Sequence, residues 1–381
     1  MRGAPVRLAM LLAVLALAGA AVAGCSDDGS EVRSGDASAS ASGASGASGA
    51  SASGPASASG PSSEDVAPTG GGESITVYSG QHPETVAALA QDFRDATGIG
   101  VNLRSGAEGE LANQIIQEGS NSPADVFYAA NSPSLQALSG RELLAPVDPG
   151  TLAQVPRKYS GPAGDWVGVS ARSSVLVYNP DQVSRDQLPS SLLDLARPEW
   201  DGRIGFSATE TDFQPLVSTV IAEDGRDAAK QWLEGLKANG TTYDGNVPII
   251  NDVNDGELDA GLIEHYYWYR LRDEVGADNM RARLYYFPPG DPGALVAISG
   301  AGALKSSEHA EAAQAFLRYL VSRRGQEIIA DSKSYEYPLR PGAANPSLQR
   351  SFGQLKPPAV NIEELGDGRN AFELLQEVGL L

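Results

Sequence analysis

Between Ile75 and Tyr128 the chain alternates twice between extended and helical patterning, and this alternation limits its fold more than any other stretch. Ile75-Thr76-Val77-Tyr78 is β-branched and aromatic, as strands are. Ser79-Gly80-Gln81-His82 turns the chain, and Pro83 and Glu84 suit a first helical turn. Val86, Leu89, Ala90 and Phe93 recur at helical spacing, and Gly98 closes the helix. Residues 99–103 read as a second strand, a helix with Leu111, Ile115 and Ile116 runs to Gly119, and residues 123–128 supply a third strand. This order implies a parallel sheet joined by right-handed crossovers. Ligands of such sheets sit beyond the carboxyl ends of the strands, here at His82 and at Ala129-Ala130-Asn131.

A second α/β unit follows. Residues 166–169 and 174–178 look extended, Pro198-Glu199-Trp200 stops a helix, and Ile204-Gly205-Phe206 is a short buried strand. A helix buries Trp232, Leu233 and Leu236, Asn246 opens another, and residues 258–263 form a strand. Two helices are expected near 308–321 and 325–330, and a last helical stretch carries Phe372, Leu374, Leu375 and Val378.

The amino-terminal part is of another kind. Arg2 and Arg7 precede an apolar run from Leu8 to Ala23, and small residues lead into Cys25, the one cysteine of the 381. Residues 1–24 read as a signal peptide of the bacterial lipoprotein type, with cleavage before Cys25 and lipid on its thiol. A lone cysteine excludes an internal disulfide and a cysteine-rich metal site. Residues 25–73, with the lipidated cysteine at their head, form a Ser/Gly/Ala-rich linker with too little apolar bulk to fold. With 28 basic against 48 acidic residues the formal charge is −20, which makes nucleic acid and anionic lipid poor direct partners.

Glu264-His265-Tyr266-Tyr267-Trp268-Tyr269 is the densest chemical feature. Four successive aromatics cannot all face one core, on a strand or on a helix. Three carry hydroxyls, and a buried phenol needs a partner. The run is either an aromatic packing patch or a set of oxygen ligands for a hard cation. No phosphate-cradling loop, no Gly-x-Ser-x-Gly elbow and only three histidines are present, which argues against an enzyme.

From Ile75 to about Leu380 the chain resembles the ferric-iron-binding proteins of ABC importers. The resemblance rests on residues 75–82, 123–128, 265–269, Asp291-Pro292-Gly293-Ala294-Leu295-Val296 and Glu336-Tyr337-Pro338-Leu339-Arg340, in that order. It implies an α/β, two-lobed periplasmic-binding-protein type II fold, with an interlobe cleft and hinge strands near 169–177 and 295–299. Lobe 1 would comprise residues 74–170 and 298–340, lobe 2 residues 171–297, with a helical tail over 341–381. His82 would be the imidazole ligand of Fe(3+), and Tyr266 and Tyr267 the phenolate ligands. Thr211 and Asn246 lie where the family holds a synergistic anion such as carbonate or phosphate. Glu264 and His265 flank the phenols where an outer residue would orient them. The implied partners are an ABC permease and its ATPase, with the receptor a lipid-anchored, extracytoplasmic monomer.

Two departures stand out. Many family members carry a carboxylate ligand where this chain has Ala130, and the anion loop here holds Glu210 and Asp212. Either acid would replace the absent carboxylate or the anion, and both would equally suit the cap of the following helix. The competing function is a receptor for an organic or oxyanion solute, such as a phosphonate, sugar or polyamine. Such a receptor has no need of His82 together with Tyr266 and Tyr267.

Overall fold

The computed structural model describes residues 72–381. The signal segment, Cys25 and the Ser/Gly/Ala-rich tract through residue 71 lie outside the described residues. Among the described residues no helix is long and apolar enough to cross a membrane.

The first sheet grows from the expected alternation. Strand β1 (Ser74–Ser79), helix α1 (Pro83–Thr97), strand β2 (Gly100–Ser105), helix α2 (Glu108–Glu118) and strand β3 (Val126–Ala129) follow in turn. β1 lies between β2 and β3, parallel to both. Pro83 at the start of α1 and Gly98 in the left-handed conformation at its end set that helix's limits. Helices α3 (Ser132–Ser139) and α4 (Pro149–Leu152) lead to β4 (Val167–Tyr178), whose twelve residues are all buried.

β4 belongs to two sheets. Its first half pairs antiparallel with β9 (Val296–Ala303), from Val167 opposite Ala301 to Ser173 opposite Val296. From Ser174 to Tyr178 it pairs with β7 (Ala260–Glu264) instead. The second sheet adds β5 (Ile204–Phe206) and β6 (Thr241–Thr242), parallel to one another, and β8 (Arg283–Tyr285) against β4. Helices α5 (Phe213–Asp224), α6 (Arg226–Asn239), α7 (Asn246–Asp255) and α8 (His265–Val275) cover it. The chain then returns through β9 to α9 (Ala310–Leu320), α10 (Arg323–Asp331) and the short β10 (Tyr337–Pro338) on the first half of β4. The order across the whole is β2-β1-β3-β9-β4-β7-β5-β6.

The core divides accordingly. Phe93, Phe127, Trp166, Phe316 and Tyr319 centre the first lobe, Trp200, Phe206, Phe213 and Trp232 one face of the second, and Ile249, Trp268 and Tyr269 its other face. Two readings change. The helix that Pro198 stops is a short 3₁₀ turn, Leu192–Ala196, and it ends as expected because a residue before proline is pushed out of the helical region and Arg197 is extended there. In the tail, α11 (Ile362–Leu365) and α12 (Arg369–Glu377) form, but Phe372 lies exposed. Ala371, Leu374, Leu375 and Val378 share the buried face at helical spacing, and Phe372 falls off it.

Gly300 on β9 shows how closely the shared strands pack. A Cβ there would lie 2.7 Å from the Trp166 ring and 2.8 Å from the Val167 carbonyl. Gly300→Ala should cost about 1–3 kcal/mol by overpacking, read as a lower urea midpoint.

Candidate functional site

The site collects at the level where β4 changes partners. From lobe 1 comes the turn after β1. Gly80 lies against the Glu108 side chain, where a Cβ would sit 2.4 Å from another carbon, so only glycine lets the turn approach. Beyond it, His82 points inward with its side chain 19% exposed. Its Nε2 is buried and lacks an aligned hydrogen bond, although Glu336 Oε1 stands 3.4 Å away.

From lobe 2 comes the aromatic run, which begins a helix immediately after β7 ends. Tyr266 and Tyr267 therefore sit in the first turn of α8, where free backbone N–H groups favour negative charge. Tyr266 is buried and meets the His82 ring edge-on, centroids 4.9 Å apart. Its hydroxyl donates to Asp212 Oδ2 at 3.2 Å. Tyr267 is half-buried, its ring 4.2 Å from that of Tyr266. Burial first, then the Asp212 carboxylate, raises both phenols, Tyr266 well above its ordinary value and Tyr267 to about 12. Both remain protonated until a cation displaces their protons.

Between the lobes lies Arg172, a charge on β4 that is only 2% exposed. Its Nη2 donates to Asn131 Oδ1 at 2.6 Å and to the Ala130 carbonyl. The same nitrogen is 3.5 Å from Asp212 Oδ1, and Nη1 is 3.7 Å from Glu336 Oε1. Glu336 also accepts from Gln81 Nε2 and from the Ser170 hydroxyl. Despite burial, the nearby His82 imidazole and the Arg172 charge hold Glu336 at about 2. Asn131 binds Glu108 through its backbone and side-chain nitrogens, both at 2.8 Å, and burial pushes Glu108 up to about 7.

The acidic loop is drawn in. Asp212 precedes α5 but makes no capping bond to it, turning instead to Tyr266 and Arg172. Glu210 lies against the turn that starts α7, where a Cβ on Gly245 would fall 3.2 Å from its Oε1, and burial, then Asp212, raises its carboxyl. Thr211 is half-buried and makes no side-chain hydrogen bond among the described residues.

Glu264 and His265 make no hydrogen bond to the phenols. His265 Nδ1 accepts from the Ser173 backbone, so Nε2 carries the proton and donates to the Tyr335 carbonyl at 2.8 Å. With both nitrogens engaged and burial lowering it to about 4, His265 is a neutral packing residue. Glu264 Oε1 accepts from Ser174 while Oε2, buried, has no partner. Trp268 donates to the Ala282 carbonyl, and the Tyr269 hydroxyl accepts from the Gln349 backbone.

Among the described residues no three His, Cys, Asp or Glu side chains converge to hold a metal alone. A metal site here needs the phenols, and oxygen donors of that kind suit a hard, highly charged ion. Two α/β lobes on shared strands, with donors from both meeting in the cleft, define a two-lobed solute-binding protein. Residues 121–357 match the family described as bacterial extracellular solute-binding protein. The chain is 44% identical over 310 residues to the Fe(3+)-binding periplasmic protein of Serratia marcescens, covering 81% of this chain and 91% of that one. Iron-bound HitA from Pseudomonas aeruginosa superposes with a TM-score of 0.77 at 45% identity, over 81% of this chain and 100% of HitA. A Trichodesmium protein in complex with iron and citrate gives 0.71 at 30% identity, over 81% and 100% of the two chains. The chain belongs to the bacterial extracellular solute-binding proteins, in the family of these ferric iron-binding proteins, and has their type II periplasmic-binding-protein fold.

Sequence reading named His82, the tyrosines, the acidic loop and the strand end at Asn131, and missed Arg172 and Glu108. The signal for Arg172 was present: a single charge inside the otherwise uncharged stretch from Trp166 to Tyr178.

Glu264 yields a pH test. Burial, then Asp212, raises its carboxyl to about 8, whereas the same group in the unfolded chain ionises near 4.5. Between these values the folded protein keeps a proton that the unfolded chain has lost, so stability falls as pH rises. Glu264→Gln should melt progressively higher relative to the natural protein from pH 5 to pH 8, by thermal denaturation at each pH.

Proposed function

We propose that this protein is the substrate-binding receptor of an ABC importer, and that it closes on ferric ion and delivers it to a membrane permease and its ATPase. The observation that carries the reading is His82 Nε2, buried without an aligned hydrogen bond and facing Tyr266 across the lobes. A donor nitrogen in that setting needs a partner, and a cation held with phenolates supplies one. His82, Tyr266 and Tyr267 are the ligands in this reading. β4 and the segment entering β9 serve as hinges, since β4 passes from the first sheet to the second and the chain returns from the second core at Leu295 to the first at Val296.

The chain itself fills the place of a synergistic carbonate or phosphate. Glu210 lies against the turn that starts α7, a place suited to an anion, and Asp212 stands beside the Tyr266 hydroxyl. Asn246 and Glu264 line the same small cavity as this carboxylate pair, and Thr211 joins the two acids in the chain. The role is binding and delivery, with no catalytic step, and the relatives bear binding-protein names. One copy carries both lobes and every donor, which supports a monomer. Lipid on Cys25 would hold the receptor at the outer face of the cell membrane, the Gly-Cys ending of its signal segment being the support.

Ferric citrate added to the protein should produce a visible tyrosinate charge-transfer band that Tyr267→Phe abolishes. Because both phenols must release protons, affinity should fall as pH falls, at the limit by on the order of a hundredfold per unit. A colourless protein stabilised against heat by an organic solute would overturn the reading.

A further inference from the structure

We propose that Glu336 is itself an oxygen ligand of this site, supplying the carboxylate that Ala130 cannot. This rests on the ferric-ion reading above and extends it to a residue 206 positions further along the chain than Ala130. Glu336 Oε1 lies 3.4 Å from His82 Nε2. Nitrogen and oxygen donors at roughly 2.0–2.2 Å from one ion, on adjacent corners of its coordination shell, stand roughly 3 Å apart. The two atoms thus need to close by only a few tenths of an ångström to share a metal. The Arg172 guanidinium touches both the Ala130 carbonyl and the neighbourhood of Glu336 Oε1, so the two residues border the same small volume.

Glu336 has capacity to spare. Oε2 is anchored by the Ser170 hydroxyl and by Gln81 Nε2 at 3.0 Å. Oε1 receives Gln81 Nε2 at 3.1 Å and otherwise only the longer approaches of His82 and Arg172. A carboxylate oxygen has two lone-pair directions, so Oε1 can accept a metal without losing its anchor.

The backbone is held for this purpose. Tyr335, immediately before Glu336, has a φ of 55°. That left-handed conformation is costly for a bulky residue, about 1–3 kcal/mol, and persists where the surroundings enforce it, often at ligand sites. Here His265 Nε2 on the Tyr335 carbonyl and Asp273 on its hydroxyl enforce it, and the turn sends Glu336 inward.

The charges also close. Phenolates from Tyr266 and Tyr267, with Glu336 and Asp212, already match ferric ion and the Arg172 guanidinium, and Glu210 stands beside Asp212, so the shut site needs no added anion. A buried cluster with an uncompensated charge would be costly.

The test compares the full chain with Glu336→Gln and Glu336→Asp, each loaded with ferric citrate. The phenolates remain in both variants, so the visible band should persist but move to longer wavelength as a weaker donor leaves the iron more electron-poor. Resistance to removal of iron by excess citrate should fall by on the order of 10–100-fold. Glu336→Asp keeps the negative charge beside Arg172 while withdrawing it by one methylene, and covers the case in which Glu336→Gln does not fold. A band of unchanged wavelength and citrate resistance within twofold of the natural protein, in whichever variants fold, would make Glu336 a counter-ion of Arg172 only and overturn the proposal. If the natural protein gives no band, the ferric-ion reading falls and this one with it. If that band is present and the variants match it, this assignment alone falls.

Discussion

Everything at the centre of this molecule is arranged around one buried cation. Arg172 sits on the strand common to both sheets, and a guanidinium so deep in the protein would cost several kcal/mol if left unpaired. It is not left so: carboxylates from opposite lobes, a carbonyl and an amide oxygen surround it. Since Glu336 belongs to one lobe and Asp212 to the other, the charge that stabilises each is shared between them. The neighbouring acids show what the arrangement is worth. Glu336, with several donors and the guanidinium nearby, is held at about 2, while Glu264, with one hydroxyl donor, drifts up to about 8.

The aromatic run takes its meaning from the place where strand becomes helix. Had the strand continued, Tyr266 and Tyr267 would have pointed to opposite faces. As the first turn of α8 they lie side by side, both within reach of the acidic loop, while Trp268 and Tyr269 turn into the core. One change of backbone geometry thus separates the residues that face the cleft from those that pack.

Much of this was legible beforehand. The alternation from Ile75 to Tyr128 gave a parallel sheet because its periods are local, and His82 and the tyrosines stood out by residue type. Arg172 and Glu336 acquire their significance only on meeting, 164 residues apart in the chain, and no local period records such a meeting. Phe372 misled for a related reason: it is apolar and helical, but the buried face of α12 runs through its neighbours. Asp212 and Glu210 read equally well as caps of α5. Only the three-dimensional arrangement turned one towards a phenol and the other towards a different helix.

The tail adds a constraint of its own. After β10 the chain passes Gln349, whose backbone bonds Tyr269 of the second lobe, returns at Leu355 and Ile362 to the first lobe's core, and ends with α12 in the second. With β4 and the segment entering β9, the polypeptide joins the two bodies by several separate spans. Two bodies linked by one cord can twist freely, whereas spans lying side by side leave bending easy and torsion hard. Any opening of the cleft is thereby channelled towards a single swing, one that returns His82 to Tyr266 along the path by which it left.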